Sequence, residues 1–424
     1  MQSPVIVVDL GFGDAGKGTV VDWLCARDGG RPASVVRFNG GAQAAHNVVT
    51  PDGRHHTFAQ LGAGMFTPGT VTLLSRFMLV DPLALAAEAA HLQQLGVVAP
   101  LSRVMVDADA LVTTPYHRAA NQARERARGA GRHGSCGMGV GETARYGVCH
   151  GEQAPRVGDC ADPVRMRRLL GVLRERLEAE LGPLGGPSVQ ECAQVFAAFA
   201  QRVEVVGGGR LKELVARGPV VMEGAQGVLL DEWHGLHPYT TWSTTTSANA
   251  RVLLEEAGAD APYTLGVVRT YTPRHGPGPL PTEDPGLGRA LVEAHNGTGP
   301  WQGAFRVGHF DGPLHRYAVA ATGGVDGVAL THVDAPERAG LRLCTGYDTE
   351  WGPMEEVPAA VVGDLERQQE LGRVLDKAVP RLVEVGAREW PGVVEQALGA
   401  PVVVASRGPG RGDKQVRAAG RAVV

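Results

Sequence analysis

Residues 4–20 read Pro4-Val-Ile-Val-Val-Asp-Leu-Gly-Phe-Gly-Asp-Ala-Gly-Lys-Gly-Thr-Val20, and this stretch decides the fold. Val5 to Leu10 is an apolar, β-branched run broken only by Asp9, the pattern of a strand buried on both faces of a parallel sheet. Gly11 to Lys17 then spells Gly-x-x-x-x-Gly-Lys. Its glycines can turn backbone N–H groups toward a phosphate, Lys17 adds a positive charge, and the next helix begins where an anion is favoured. Two details depart from an ordinary P-loop. Gly18 stands where a Ser or Thr would meet magnesium, and a carboxylate, Asp14, sits inside the loop. A carboxylate beside polyphosphate is repulsive unless a metal or a proton transfer accounts for it.

Outward from that stretch, 424 residues are ample for a large core, and the net charge of −4 provides no global positive field for nucleic acid. A small anionic substrate held by local groups is expected. The six cysteines, Cys25, Cys136, Cys149, Cys160, Cys192 and Cys344, have neither zinc-site spacing nor the density of a disulfide scaffold, and suit a reducing cytoplasm. No basic leader precedes the first strand, and no run approaches the 18 or so apolar residues of a membrane span.

Further strands are expected at Ala33 to Phe38, Val71 to Val80, Val104 to Val106, Pro219 to Met222, Leu265 to Thr272 and Val325 to Leu330, with Leu341 to Tyr347 at an edge and Val402 to Ala405 last. Helices are expected after Asp81-Pro82 to about Leu95, from Pro115 to about Arg128, from Pro163 to Leu181 and from about Glu191 to Gln201. Between them lie glycine-rich loops of binding type: 39–47, 129–141, 223–227, 273–283, 298–306 and 406–410. The fold class this defines is α/β, a large and mostly parallel central sheet flanked by helices, with a P-loop-like site and loops clustered at one edge, in a single unit spanning 1–424.

These loops resemble, in order, the signatures of the adenylosuccinate synthetase family. Gly13-Asp-Ala-Gly-Lys-Gly18 is similar to that family's Gly-Asp-Glu-Gly-Lys-Gly, and Gly40-Gly-Ala-Gln-Ala-Ala-His46 to its Gly-Gly-His-Asn-Ala-Gly-His. Arg156-Val-Gly-Asp159, Glu223-Gly-Ala-Gln-Gly227, His234-Gly-x-x-Pro-Tyr239-x-Thr241, Gly278-Pro-Leu-Pro-Thr-Glu283, Leu330-Thr-His-Val-Asp334 and Ser406-Arg-Gly-Pro409 follow. The resemblance implies a GTP- and Mg2+-dependent ligase that phosphorylates the 6-oxygen of IMP and lets the amine of aspartate displace phosphate. It implies Asp14 as base and His46 as acid. It places GTP at Gly13, Gly16, Lys17, Gly18, Asn47, His332, Asp334, Ser406 and Gly408, and magnesium at Asp14 and Ala45. The acceptor falls at Gln43, Ser135, Cys136, Gln226 and Thr241, and the amino acid at a loop holding Trp301, Gln302 and Arg306. A homodimer of cytoplasmic subunits, with no nucleic acid or membrane partner, is implied as well.

Departures from the family pattern lie in the acceptor half. The family reads carboxylates with Thr-Thr-Gly-Arg-Arg-Arg-Arg, where this chain has Pro300-Trp-Gln-Gly-Ala-Phe-Arg306 and one arginine. Its phosphate loop Gly-Thr-Thr-Gly-Arg-Gly is Gly134-Ser-Cys-Gly-Met-Gly139 here, with His150 or a neighbour near the place of an arginine supplied by a second subunit. Weak turnover of ordinary IMP and aspartate is therefore expected unless Arg306, Arg274, Arg269 or Arg132 compensates, and a paralogue with another oxo-acceptor or amine is the alternative. A non-catalytic guanine-nucleotide regulator is the other class, and it needs neither Asp14 nor His46.

Overall fold

The computed structural model describes residues 3–27, 33–291, 293 and 296–417. Its centre is a ten-stranded sheet. From one edge to the other the strands are Lys414–Val416, Val402–Ser406, Gly327–Thr331, Tyr263–Arg269, Val5–Asp9, Val220–Glu223, Ser34–Arg37, Val71–Leu74, Val104–Asp107 and Glu204–Val206. Every neighbouring pair is parallel except the Lys414–Val416 edge, which runs antiparallel to Val402–Ser406. Val5–Asp9 lies fifth from one edge and sixth from the other. Ile6 and Val8 pack into the core on one face while Val7 packs into the core on the other. Burying each of these side chains contributes about 1.5–3 kcal/mol. An apolar run with alternating faces in two separate cores is thus the centre of the molecule.

Parallel strands all point one way, so the loops that leave their carboxyl ends gather at a single edge of the sheet. The loop after Asp9 carries Lys17, that after Arg37 leads to His46, and that after Glu223 carries Gln226. Those after Thr331 and Ser406 carry His332 and Gly408. Where an acid or hydroxyl residue is followed by proline the helix starts as expected. Asp81 accepts from the Leu83 and Ala84 amides at the head of Pro82–Gln94, and Asp162 accepts from the Val164 and Arg165 amides at the head of Pro163–Leu181. Thr114 and His117 form a reciprocal capping box for Pro115–Arg128.

Several expected boundaries change. Val71 to Val80 is two strands, Val71–Leu74 and Leu79–Val80, because Arg76 turns out to pair with Glu256 at 2.7 Å and the Ser75 carbonyl closes a turn onto Met78. Leu265 to Thr272 likewise divides into Tyr263–Arg269 and Thr272–His275, the latter forming a hairpin with Phe305–Gly308. Leu341 to Tyr347 is no edge. As Arg342–Thr349 it is the middle of a second sheet, paired with Phe310–Asp311, Gly352–Met354 and Val379–Glu384. Val402–Ser406 is followed by the Lys414–Val416 strand and so is not the last. The glycine-rich loop from 129 ends in a helix, Val140–His150, and another helix, Arg210–Arg217, follows the glycine triplet at 207–209. No helix among the described residues is long and apolar enough to cross a membrane.

His117 makes the fold sensitive to acid. Its burial, reinforced by Arg145, pushes the imidazole pKa from about 6.5 down to about 3. The unfolded chain therefore takes up a proton that the folded chain refuses, and stability present above pH 6.5 is lost as pH falls toward 3. Between pH 6.5 and 5 this one group removes about 2 kcal/mol, at about 1.4 kcal/mol per pH unit. His46, pushed down to about 4, acts in the same direction. The thermal midpoint is expected to drop between pH 7 and pH 5, and to drop less in His117→Asn. Equal drops in the two proteins would contradict the assignment.

Candidate functional site

Asp9, which interrupts the first apolar run, organises the phosphate-type loop. One carboxylate oxygen accepts from the Gly11 amide, and the other accepts from the Ala15 amide and from Lys17 Nζ, each at 2.9 Å. Lys17 and Asp9 are both buried, so the lysine is fixed and neutralised in place. The helix Lys17–Arg27 then starts directly off the loop. Gly18 has a steric cause. A Cβ there would lie 2.6 Å from the Cβ of His46, so the Ser or Thr of an ordinary P-loop is excluded by the strand that brings His46 in.

A cavity of about 300 Å3 opens above this loop. It is lined on one side by Asp14, Gly16, Lys17 and Gly18, and on another by Ala45, His46 and Asn47. His332, Asp334, Ser406 and Gly408 close its far end. All of the residues expected for a nucleotide except Gly13 therefore line one cavity. Its wall also holds Tyr271, Glu293 and Asn296, not anticipated from sequence, together with Thr331 of the 330–334 signature and Arg269, which was expected only as a compensating arginine of the acceptor half. Arg269 Nε donates to the Asp14 carbonyl at 2.6 Å, and Thr331 Oγ1 donates to the Ala15 carbonyl at 2.7 Å, so neighbouring strand ends hold the loop. At the far end Ser406 Oγ donates to the Gly408 carbonyl at 2.9 Å, and Lys414 Nζ donates to the carbonyls of Gly408, Pro409 and Gly410.

Four non-glycine residues among those described have positive φ, and three of them, Asp14 at 60°, Gln226 at 56° and His332 at 56°, belong to the site residues expected from sequence. Such backbone costs about 1–3 kcal/mol per residue and persists where surrounding structure imposes it. Asp14 is partly buried, and burial pushes its carboxyl above the ordinary value against the pull of His275, Arg269 and Lys17. His275 Nε2 lies 3.5 Å from its Oδ2.

His46 Nδ1 lies 2.6 Å from Glu223 Oε1, and the other Glu223 oxygen accepts from the Ala63 amide at 2.9 Å. Burial drives the His46 pKa down to about 4 although Glu223 opposes it. Burial alone would raise Glu223, but Arg37 and His46 hold it below the usual carboxylate range. Glu223 is therefore ionised and fixes the tautomer with Nδ1–H donated to it, which leaves Nε2 free for a ligand. The strand end at Glu223 was legible as a place for ligands. Its pairing with His46, 177 residues away, was not.

Of the residues expected for the acceptor, two come together. Gln43 and Gln226 converge beside Gly40: a Cβ on Gly40 would lie 3.2 Å from Gln226 Oε1 and 3.6 Å from Gln43 Nε2. Both ends of the Gln43 amide and Gln226 Oε1 are buried without a hydrogen-bond partner, which marks them for a polar ligand. Ser135 Oγ accepts from Asn121 at 2.8 Å, and burial raises the Cys136 thiol, so it is no reactive thiolate. Thr241 is half-buried, its amide donating to the Leu230 carbonyl. Arg306 is not free. It donates to Glu283 at 3.0 Å and to the carbonyls of Gly276 and Gly278.

No cluster of three or more His, Cys, Asp or Glu side chains suited to a metal exists among the described residues. A magnesium ion held mainly by phosphate oxygens and water needs few protein donors, and Asp14, a hard oxygen donor on the cavity wall, suits it.

The fold and cavity define an α/β protein that holds a phosphorylated nucleotide at a P-loop-like turn with a carboxylate and an imidazole beside it. The adenylosuccinate synthetase family model matches residues 6–414. Adenylosuccinate synthetases of Rhodococcus opacus (strain B4) and Rhodococcus jostii (strain RHA1) are each 33% identical over 375 residues, covering 84% of this chain and 83% of theirs. Among solved structures, fully ligated adenylosuccinate synthetase from Plasmodium falciparum superposes with TM-score 0.83 at 20% identity, over 98% of this chain and 100% of that one. Cyanophage S-2L succinoaminodeoxyadenylate synthetase, bound to dGMP and dATP as an energy donor, gives TM-score 0.61 at 20% identity, over 98% and 95%. The chain belongs to the adenylosuccinate synthetase family and is a GTP-dependent carbon–nitrogen ligase.

Proposed function

We propose that the protein phosphorylates the 6-oxygen of IMP or an IMP-like oxopurine nucleotide with GTP, after which the amine of aspartate displaces phosphate to give adenylosuccinate. The observation that carries this reading is the placing of Asp14 and His46 on the wall of one cavity with Lys17, since a nucleotide-binding protein needs neither acid nor base there. Phosphorylation converts a poor leaving group into phosphate, and both steps then depend on positioning and charge. Asp14 takes the proton from purine N1 and makes the 6-oxygen nucleophilic. His46, fixed by Glu223, stabilises the charge on the departing γ-phosphoryl group. Neutral in the free protein, it gains its second proton when the polyphosphate anion arrives, because an adjacent negative charge raises an imidazole pKa. Magnesium, held by Asp14 and the Ala45 carbonyl, would supply charge neutralisation to the phosphates.

Asp334 is proposed to accept from the guanine N1–H and amino group, which adenine cannot donate. It is partly exposed, and its one ion pair among the described residues is with Arg338, at 2.9 Å. Asp334→Asn is expected to weaken GTP use by about 1–3 kcal/mol, the penalty for an unmatched buried partner. Equal kcat/KM for GTP and ATP in the unaltered protein would contradict the role. The acceptor is proposed to lie on Gln43, Gln226 and Thr241, and the working form to be a homodimer, testable by light scattering. The second reading, another amine in place of aspartate, is favoured by the engagement of Arg306 with Glu283. Turnover with GTP, magnesium, IMP and a panel of amines separates the two.

A further inference from the structure

The amino-acid loop has one arginine, and Glu283 neutralises it. Arg269 is tied to Glu293, and Arg274 donates to the carbonyls of Pro277, Pro279 and Tyr239. None of these three can fork onto a substrate carboxylate without giving up an internal partner. Arg126 and Arg132 differ. On the Pro115–Arg128 helix, Arg118, Arg124 and Arg128 each face a carboxylate, namely Asp81, Glu142 with Glu180, and Glu125. Arg126 and Arg132, both exposed, have no ion pair among the described residues, and both lie over the Trp301 indole, at 5.4 and 5.8 Å from its centroid.

Trp301 is set firmly enough to serve as their platform. The tip of its loop is closed by reciprocal hydrogen bonds between Gly299 and Gly303, at 2.9 and 3.1 Å. Its ring is seated on residue 137, where a Cβ would come within 2.8 Å of the indole Cδ1. That contact places the indole against the Gly134–Gly139 loop of the acceptor half. An aromatic face orients guanidinium planes and leaves their N–H edges pointing outward, the arrangement that binds carboxylates bidentately.

We infer that Arg126 and Arg132, stacked about Trp301, are specificity-determining residues that hold the carboxylates of the amine co-substrate, in place of arginines that the amino-acid loop itself lacks. This rests on the reading of aspartate as the amine. The loop supplies the platform and the neighbouring helix and turn supply the charge. A dicarboxylate amine is then preferred over a neutral one.

Steady-state kinetics of Arg126→Ala, Arg132→Ala, Trp301→Ala and Trp301→Phe test this. Loss of one charge-assisted fork is expected to raise KM for L-aspartate about 10- to 100-fold while KM for GTP stays within about twofold, with Trp301→Phe retaining most of the affinity. An unchanged KM for aspartate in both arginine variants overturns the inference, as does a rise confined to KM for IMP, which would assign the pair to the acceptor phosphate. Calorimetric titration of L-aspartate into the unaltered protein and Arg132→Ala, each with IMP and GDP, reads binding without turnover. If the unaltered protein makes no adenylosuccinate, the reaction assignment fails. Aspartate affinity lower in Arg132→Ala would still support the site, and equal affinity or none in both would overturn it.

Discussion

Asp14→Asn is expected to lose turnover by about 10²–10⁴-fold, the span for removal of a positioned base, with thermal stability close to that of the unaltered protein. The amide preserves the shape of the side chain but can neither accept the purine proton nor contribute a negative charge to the metal. The backbone at 14 is already held at φ 60° by the surrounding loop and by Arg269 on its carbonyl, so the fold does not depend on the carboxylate. Asparagine also tolerates the left-handed region. GTP affinity is expected to stay within an order of magnitude, because Lys17 and the loop amides remain. A variant with near-normal kcat would remove Asp14 from the mechanism.

His46→Ala is expected to cost a similar 10²–10⁴-fold in kcat, for a different reason. Here the lost group stabilises the departing phosphoryl rather than activating the acceptor. The variant also leaves Glu223 buried and without its imidazole partner, beside Arg37, so some loss of stability accompanies the loss of rate. Glutamine at 46 provides a control for charge stranding, since its amide can still donate to Glu223. Low rate in both Ala and Gln variants assigns the effect to the imidazole. Normal rate in the Gln variant would assign His46 a structural role.

The first strand and its loop were legible in sequence because an apolar run, glycines and lysine occur in an order that only one local structure satisfies. Helices headed by Asp81-Pro82 or running from Pro115 and Pro163 were legible for a similar reason: cap and proline fix the start. Seven helices among the described residues were not foreseen. Val140–His150, Arg210–Arg217, Ala248–Glu256 and Trp390–Leu398 begin with no side-chain cap, so nothing local announces them. Pro285–Ala290, Gly312–Ala321 and Leu365–Asp376 follow the capping Asp284, Asp311 and Asp364, a signal within reach of sequence reading. The nucleotide half of the site was legible because each of its loops leaves a buried strand. Its second layer was not. Glu223 behind His46 and Arg269 behind Asp14 act across 177 and 255 residues of chain, through strand order that no local pattern encodes. The engagement of Arg306 by Glu283 is likewise a contact between two loops, invisible when either is read alone.

The most direct test of the account is one incubation of the purified protein with GTP, Mg2+, IMP and L-aspartate, in which the nucleotide product and released phosphate are quantified together. Adenylosuccinate, GDP and phosphate are expected in equal amounts, with no product when IMP or aspartate is withheld and a rate lower by about 10²–10⁴-fold in Asp14→Asn. Phosphate release without a nucleotide–amino acid adduct, or adduct formation at an undiminished rate in Asp14→Asn, would contradict this reading.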